Sequence, residues 1–222
     1  MNQFARISRE QLRLYLVTDS TLCRGRSLTD VVADAVRGGV TCVQLREKDL
    51  GTREFVARAQ ALKSLLLPLK IPLVINDRID VALACQADGV HLGQSDMPVD
   101  LVRKILPPQV FIGLSVENDQ DITQAIGMPV DYLGISPVFA TPTKTDTQTP
   151  WGLAGLQRAR ALTALPLVAI GGINRTNAAQ VRQGGADGLA IVSAICAADD
   201  PASAAAELLA LAQANFPQET RP

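Results

Sequence analysis

Residues 72–96, PLVINDRIDVALACQADGVHLGQSD, contain two short apolar runs, PLVI at 72–75 and GVHL at 89–92, separated by a helical stretch. Each run is bounded by Pro, Gly or Asp, the pattern of a strand buried on both faces of a parallel sheet. An acidic residue follows each: Asp77 closes PLVIND, and Asp96 lies just past GVHLG. Carboxylates at neighbouring strand ends, beside Asn76, suit a Mg2+ ion carrying a substrate phosphate. That ion takes hard oxygen ligands, often only one or two of them protein carboxylates.

The same alternation extends outward in both directions. Further strand candidates are 14–18, 42–45, 110–114, 131–135, 166–170 and 188–192. Helical spacing lies between them, as in Phe55, Ala59, Leu62 and Leu66, and a last helix runs from Ala202 to about residue 214. GGVTCVQL, ADGVHL, VDYLGI and GGADGLAI repeat one junction, in which Gly or Asp ends a helix and a strand begins. Eight strands with intervening helices predict an α/β fold, a single (βα)8 TIM barrel. The rival, a doubly wound nucleotide-binding sheet, needs a glycine fingerprint after an early strand. That junction reads TDSTLCRGRS, without GxGxxG or a P-loop, and the chain has no GxSxG or HExxH. No linker divides the 222 residues, so one domain is expected, with a short extension at 1–11 and a frayed tail at 217–222.

Hydrophobic residues make up 47% and aromatics 4%, which predicts a core of Ala, Val, Leu and Ile. Few aromatics and a net charge of −1 argue against nucleic acid as a partner. Cys23, Cys42, Cys85 and Cys196 form no CxxC pair, and the one histidine leaves no zinc-finger spacing; reduced, buried thiols in a cytoplasm are expected. SLLLPLKIPLVI is broken by Lys70 and two prolines, so no membrane span is expected, and the first residues lack the apolar core of a secretory signal.

In TCVQLREK, alternation puts Gln44, Arg46 and Lys48 on one side and Leu45 and Glu47 on the other. Arg and Lys at a barrel mouth offer a planar fork and a compact charge to phosphate; alternatively the strand ends at Leu45 and REK is a solvated turn. Asp77 reads equally as a cap of the following helix, and Asp96 precedes a helix start marked by Pro98. Ser115 reads as a ligand contact or, more readily, as a helix cap. His91 is set aside as a core or rim histidine. The stretch 136–151, SPVFATPTKTDTQTPW, is long for a strand–helix connection and rich in threonine around Lys144, a pattern expected of a lid over an anion. Gly171, Gly172, Val192 and Ser193, at the ends of strands seven and eight, stand where many barrels cradle phosphate.

Taken in order, QLREK at 44–48, INDR at 75–78, GVHLGQSDMP at 89–98, IGLSV at 112–116, PVFATPTK at 137–144 and IGGI at 170–173 resemble the thiamine phosphate synthase family. The resemblance spans nearly the whole chain. It implies a cytoplasmic, Mg2+-dependent transferase with one ion per site and two small-molecule substrates, a pyrimidine diphosphate and a thiazole phosphate. Carried over by motif, Gln44, Leu45, Arg46, Glu47, Lys48, Asn76, Ser115 and Lys144 bind the pyrimidine diphosphate. Asp77 and Asp96 hold the ion. Thr141, Pro142, Thr143, Gly172, Val192 and Ser193 receive the thiazole phosphate, while Arg46, Lys48 and Lys144 act catalytically on the leaving group. Ser136 replaces a frequent Gly, and Glu117–Asn118 a frequent His-Thr pair, with no charged site group lost. A thiazole tautomerase on the same barrel and a noncatalytic phosphate sensor are the alternatives; GQSD and TPTK favour the synthase.

Overall fold

A computed structural model describes residues 7–141 and 149–213. Its eight strands are β1 (Leu14–Val17), β2 (Cys42–Leu45), β3 (Leu73–Asn76), β4 (Gly89–Leu92), β5 (Phe111–Val116), β6 (Tyr132–Ile135), β7 (Leu167–Ile170) and β8 (Gly188–Ile191). Each pairs in parallel with the next, and β8 pairs with β1 to close the barrel. The helices that return the chain are α1 (Leu28–Arg37), α2 (Thr52–Leu66), α3 (Ile79–Ala84), α4 (Val99–Ile105), α5 (Asp119–Ala125), α6 (Gly152–Leu162), α7 (Ala178–Gln183), α8 (Ser193–Cys196) and α9 (Pro201–Gln213). The (βα)8 expectation is met, and most strand bounds agree to within a residue. β5 runs two residues further than expected, which places Ser115 inside the strand.

Period-two alternation sorts the strand side chains into two cores. Leu14, Leu16, Val43, Leu45, Leu73, Ile75, Val90 and Leu92 face outward and pack with the helices, including the α2 stripe Phe55, Ala59, Leu62 and Leu66. Tyr15, Val17, Cys42, Val74, Phe111, Tyr132, Val168 and Ala190 face inward and fill the barrel. Leu12 and Ile7 join this inner cluster from the segment before β1. All four cysteines are free and buried.

The barrel is narrow, and glycine makes room for its rings. A Cβ at Gly89 would overlap the Phe111 ring, one at Gly113 would overlap the Tyr132 ring, and one at Gly134 would stand 3.0 Å from His91 Cε1. Three glycines on adjacent strands therefore admit three rings to the interior, alongside Tyr15. Gly113→Ala is expected to destabilise the protein by about 1–3 kcal/mol through overpacking. Urea unfolding with an unchanged midpoint would contradict this account of the interior.

Candidate active site

The C-terminal ends of the strands carry the polar groups, as the fold dictates for a barrel. Asp77 follows β3 directly and adopts a left-handed backbone, φ 61°, which Asp tolerates better than most residues. Its N–H donates to the His91 carbonyl at 2.9 Å, which extends the β3–β4 pairing to the mouth. There its carboxyl shares a hydrogen bond with that of Asp96. Burial first, and the Asp96 charge second, push the Asp77 carboxyl up to about 6, while Lys48 and Arg46 pull it the other way. The acidic pair and two cations therefore converge.

The capping alternatives do not describe these residues. The N-cap of α3 is Arg78, with no side-chain cap, and that of α4 is Pro98. Asp96 Oδ2 instead accepts the Gly93 N–H at 2.6 Å, which folds its loop back over β4. Ser115 does not cap α5 either, because Asn118 accepts the Asp121 N–H there. The Ser115 hydroxyl lies 2.9 Å from His91 Nε2, and Gln94 Nε2 donates to the Ser115 carbonyl at 2.6 Å.

Strand β2 ends at Leu45, yet the residues beyond it are held rather than loose. The Arg46 N–H donates to Thr18 Oγ1 at 3.2 Å, and Arg46 is half-buried. Gln44 points inward, 5% exposed, with Nε2 donating to Tyr15 Oη at 3.0 Å. The side chains of Leu45 and Glu47 are engaged within the fold. Leu45 is packed in the helix layer. Glu47 accepts from Ser20 Oγ at 3.2 Å and from Arg58 Nη1 at 2.6 Å.

A cavity of about 180 Å³ opens beside this cluster, lined by Arg46, Ser136, Thr141, Gly172, Val192 and Ser193 among others. Gly171 and Gly172 have φ of 103° and 65°. A Cβ at 172 would stand 2.8 Å from Phe139 Cβ, so the chain leaving β6 lies directly on the double glycine. Val192 precedes α8 and Ser193 begins it. Pro142, Thr143 and Lys144 lie outside the described residues. Trp151, at the far end of that connection, is buried in the helix layer, and its backbone N–H donates to the Pro137 carbonyl at 2.9 Å. A larger hollow, about 770 Å³, lies at the opposite end around Lys63, Asp88 and Pro107, away from these groups.

Over residues 14–195 the chain matches the family described as thiamine monophosphate synthase. The chain belongs to that family. The thiamine-phosphate synthase of Albidiferax ferrireducens is 65% identical over 205 residues, covering 92% of this chain and 94% of that protein. That of Vibrio campbellii is 54% identical over 199 residues, covering 90% and 97%. The solved thiamine phosphate pyrophosphorylase from Pyrococcus furiosus superposes with a TM-score of 0.85 at 37% identity, covering 93% of this chain and 98% of that one.

Motifs and punctuation in the sequence do not single out His91, Tyr15 and Tyr132. His91 bridges Tyr132 Oη, at 2.8 Å from Nδ1, and Ser115 Oγ. The signal was available in alternation: His91 follows the inward Gly89 by two residues and so faces the interior. Among the described residues no cluster of three or more His, Cys, Asp or Glu is arranged to hold a metal. Asp77 and Asp96 bring two carboxyl groups together, a donor set whose chemistry fits Mg2+ completed by phosphate and water.

The raised Asp77 value carries a pH signature. The folded, cation-free chain retains that proton up to about 6, whereas the ordinary value is 3.8. The folded state binds more protons between those values, so this contribution to stability is lost as pH rises through the window. Subtracting the pH profile of Asp77→Asn from that of the parent should leave a decline between about pH 4 and about pH 6. Coincident profiles in urea unfolding would place the proton elsewhere.

Proposed function

We propose that this chain is a thiamine-phosphate synthase, joining 4-amino-5-hydroxymethyl-2-methylpyrimidine diphosphate to a thiazole phosphate and releasing thiamine phosphate and diphosphate. The observation that carries this reading is the Asp77–Asp96 pair with Arg46 and Lys48 beside it at the barrel mouth. The relatives carry the synthase name, and the tautomerase and sensor readings draw no support from them.

The bond between the pyrimidine methylene carbon and the diphosphate oxygen breaks with its electron pair leaving on diphosphate. The thiazole nitrogen lone pair then forms the new C–N bond. No strong base is needed, which agrees with a site of cations and carboxylates. Arg46, Lys48 and Lys144 stabilise the negative charge that develops on the departing group. Asp77 and Asp96 would hold one Mg2+, which would supply positive charge to the departing diphosphate. Gln44, Asn76 and Ser115 orient the pyrimidine. Thr141, Pro142, Thr143, Gly172, Val192 and Ser193 receive the thiazole phosphate, so that both reactants are aligned before the bond breaks.

A connection at 136–151 that excluded water would protect the carbocation from hydrolysis, and its residues 142–148 lie outside the described residues. Among the described residues no helix is long and apolar enough to cross a membrane, and the free, buried thiols support a cytoplasmic setting. Both substrates are small molecules, and no nucleic acid is required.

Purified protein given both substrates and Mg2+ should release thiamine phosphate and diphosphate in equal amounts. Asp96→Ala and Lys144→Ala should each lower kcat/KM by roughly 100-fold. Full activity in both variants would remove the charge-stabilising roles. Shortening 142–148 should increase pyrimidine alcohol relative to thiamine phosphate, and an unchanged product ratio would rule out a water-excluding lid.

A further inference from the structure

Five side chains form one continuous file of hydrogen bonds across the barrel. Gln44 Nε2 lies 3.0 Å from Tyr15 Oη, Tyr15 Oη 2.9 Å from Tyr132 Oη, Tyr132 Oη 2.8 Å from His91 Nδ1, and His91 Nε2 2.9 Å from Ser115 Oγ. The three central groups are held tightly. Both tyrosines are buried, the His91 and Tyr132 rings stack at 5.5 Å, and Gly134 leaves no slack beside His91.

Each link determines the next. An amide nitrogen only donates, so Tyr15 Oη accepts from Gln44 and passes its single proton to Tyr132. Cys42, which also adjoins Tyr15, is a weak acceptor and competes poorly for that proton. Having accepted from Tyr15, Tyr132 donates to His91 Nδ1. A neutral imidazole that accepts at Nδ1 carries its proton on Nε2, and this proton goes to Ser115 Oγ. Two groups are then left for a ligand: the amide oxygen of Gln44, an acceptor, and the hydroxyl proton of Ser115, a donor. Rotating the Gln44 amide by half a turn would reverse every link and exchange these two roles.

We infer that His91, Tyr132 and Tyr15 are positioning residues that present Gln44 as an acceptor and Ser115 as a donor to the pyrimidine diphosphate. The identity of that ligand rests on the synthase reading; the sense of the file does not. None of the three needs to touch substrate. Their role is to couple two contacts on β2 and β5 that have no direct bond between them.

His91 is the chain's single histidine, so untagged, ¹⁵N-labelled protein gives one imidazole spin system by NMR. The expected result is the Nε2–H tautomer in the parent protein and loss of that preference in Tyr132→Phe. The same variant should raise KM for the pyrimidine diphosphate roughly tenfold, about the worth of one directed hydrogen bond, with KM for the thiazole phosphate unchanged. A parent Nδ1–H signal overturns the sense of the file, and an unchanged pyrimidine KM in Tyr132→Phe overturns its role. Should Tyr132→Phe fail to fold by circular dichroism, Tyr15→Phe cuts the file one link earlier, with the same expectations. A parent protein that forms no thiamine phosphate, yet shows the Nε2–H tautomer, would count against the synthase reading alone.

Discussion

Parallel pairing of β3 with β4 holds the carboxyl groups of Asp77 and Asp96 close enough to share a hydrogen bond. Burial disfavours the charged form of Asp77 first, repulsion between the two carboxylates adds to it, and a proton is kept on Asp77 up to about 6. The arrangement is unfavourable by itself and persists because the surrounding barrel leaves it no alternative. The left-handed backbone at Asp77 belongs to the same constraint, since strain of this kind is tolerated only where neighbouring structure over-determines it. Arg46 and Lys48 add positive charge beside the pair.

The barrel interior explains why the mouth is this shape. Inward positions on β4, β5 and β6 alternate glycine with larger groups, and the space freed by Gly89, Gly113 and Gly134 is taken by Phe111, Tyr132 and His91. The rings do more than fill volume. The tyrosine hydroxyls and the imidazole need hydrogen-bond partners once buried, and they find them in one another and then in Gln44 and Ser115. Packing below the site and polar contacts within it are therefore parts of one layer.

Much of this was readable from particular residues. Pro72, Gly89 and the acidic residues after each run marked β3 and β4 closely, because a strand buried on both faces is short, apolar and sharply punctuated. The end of β5 was missed because the Ser115–Val116 pair carries no turn signal. Leu45 and Glu47 entered the site by lying within a contiguous motif, although their parity already pointed them at the helices. His91 was set aside because a lone histidine in an apolar strand has no visible partner until Tyr132 and Ser115, 41 and 24 residues away, are placed beside it.

Alone, the sequence determined the number and order of the strands, the alternating sides of β2, and the family. These follow from local periodicity, punctuation and ordered motifs, which need no knowledge of distant contacts. Only the tertiary structure decided which groups meet: Asp77 with Asp96, Gly172 beneath Phe139, and Gln44 joined to Ser115 through the rings of Tyr15, Tyr132 and His91. Such meetings depend on barrel closure and strand register, which bring residues far apart in the chain within hydrogen-bonding distance. No short window of sequence contains both partners.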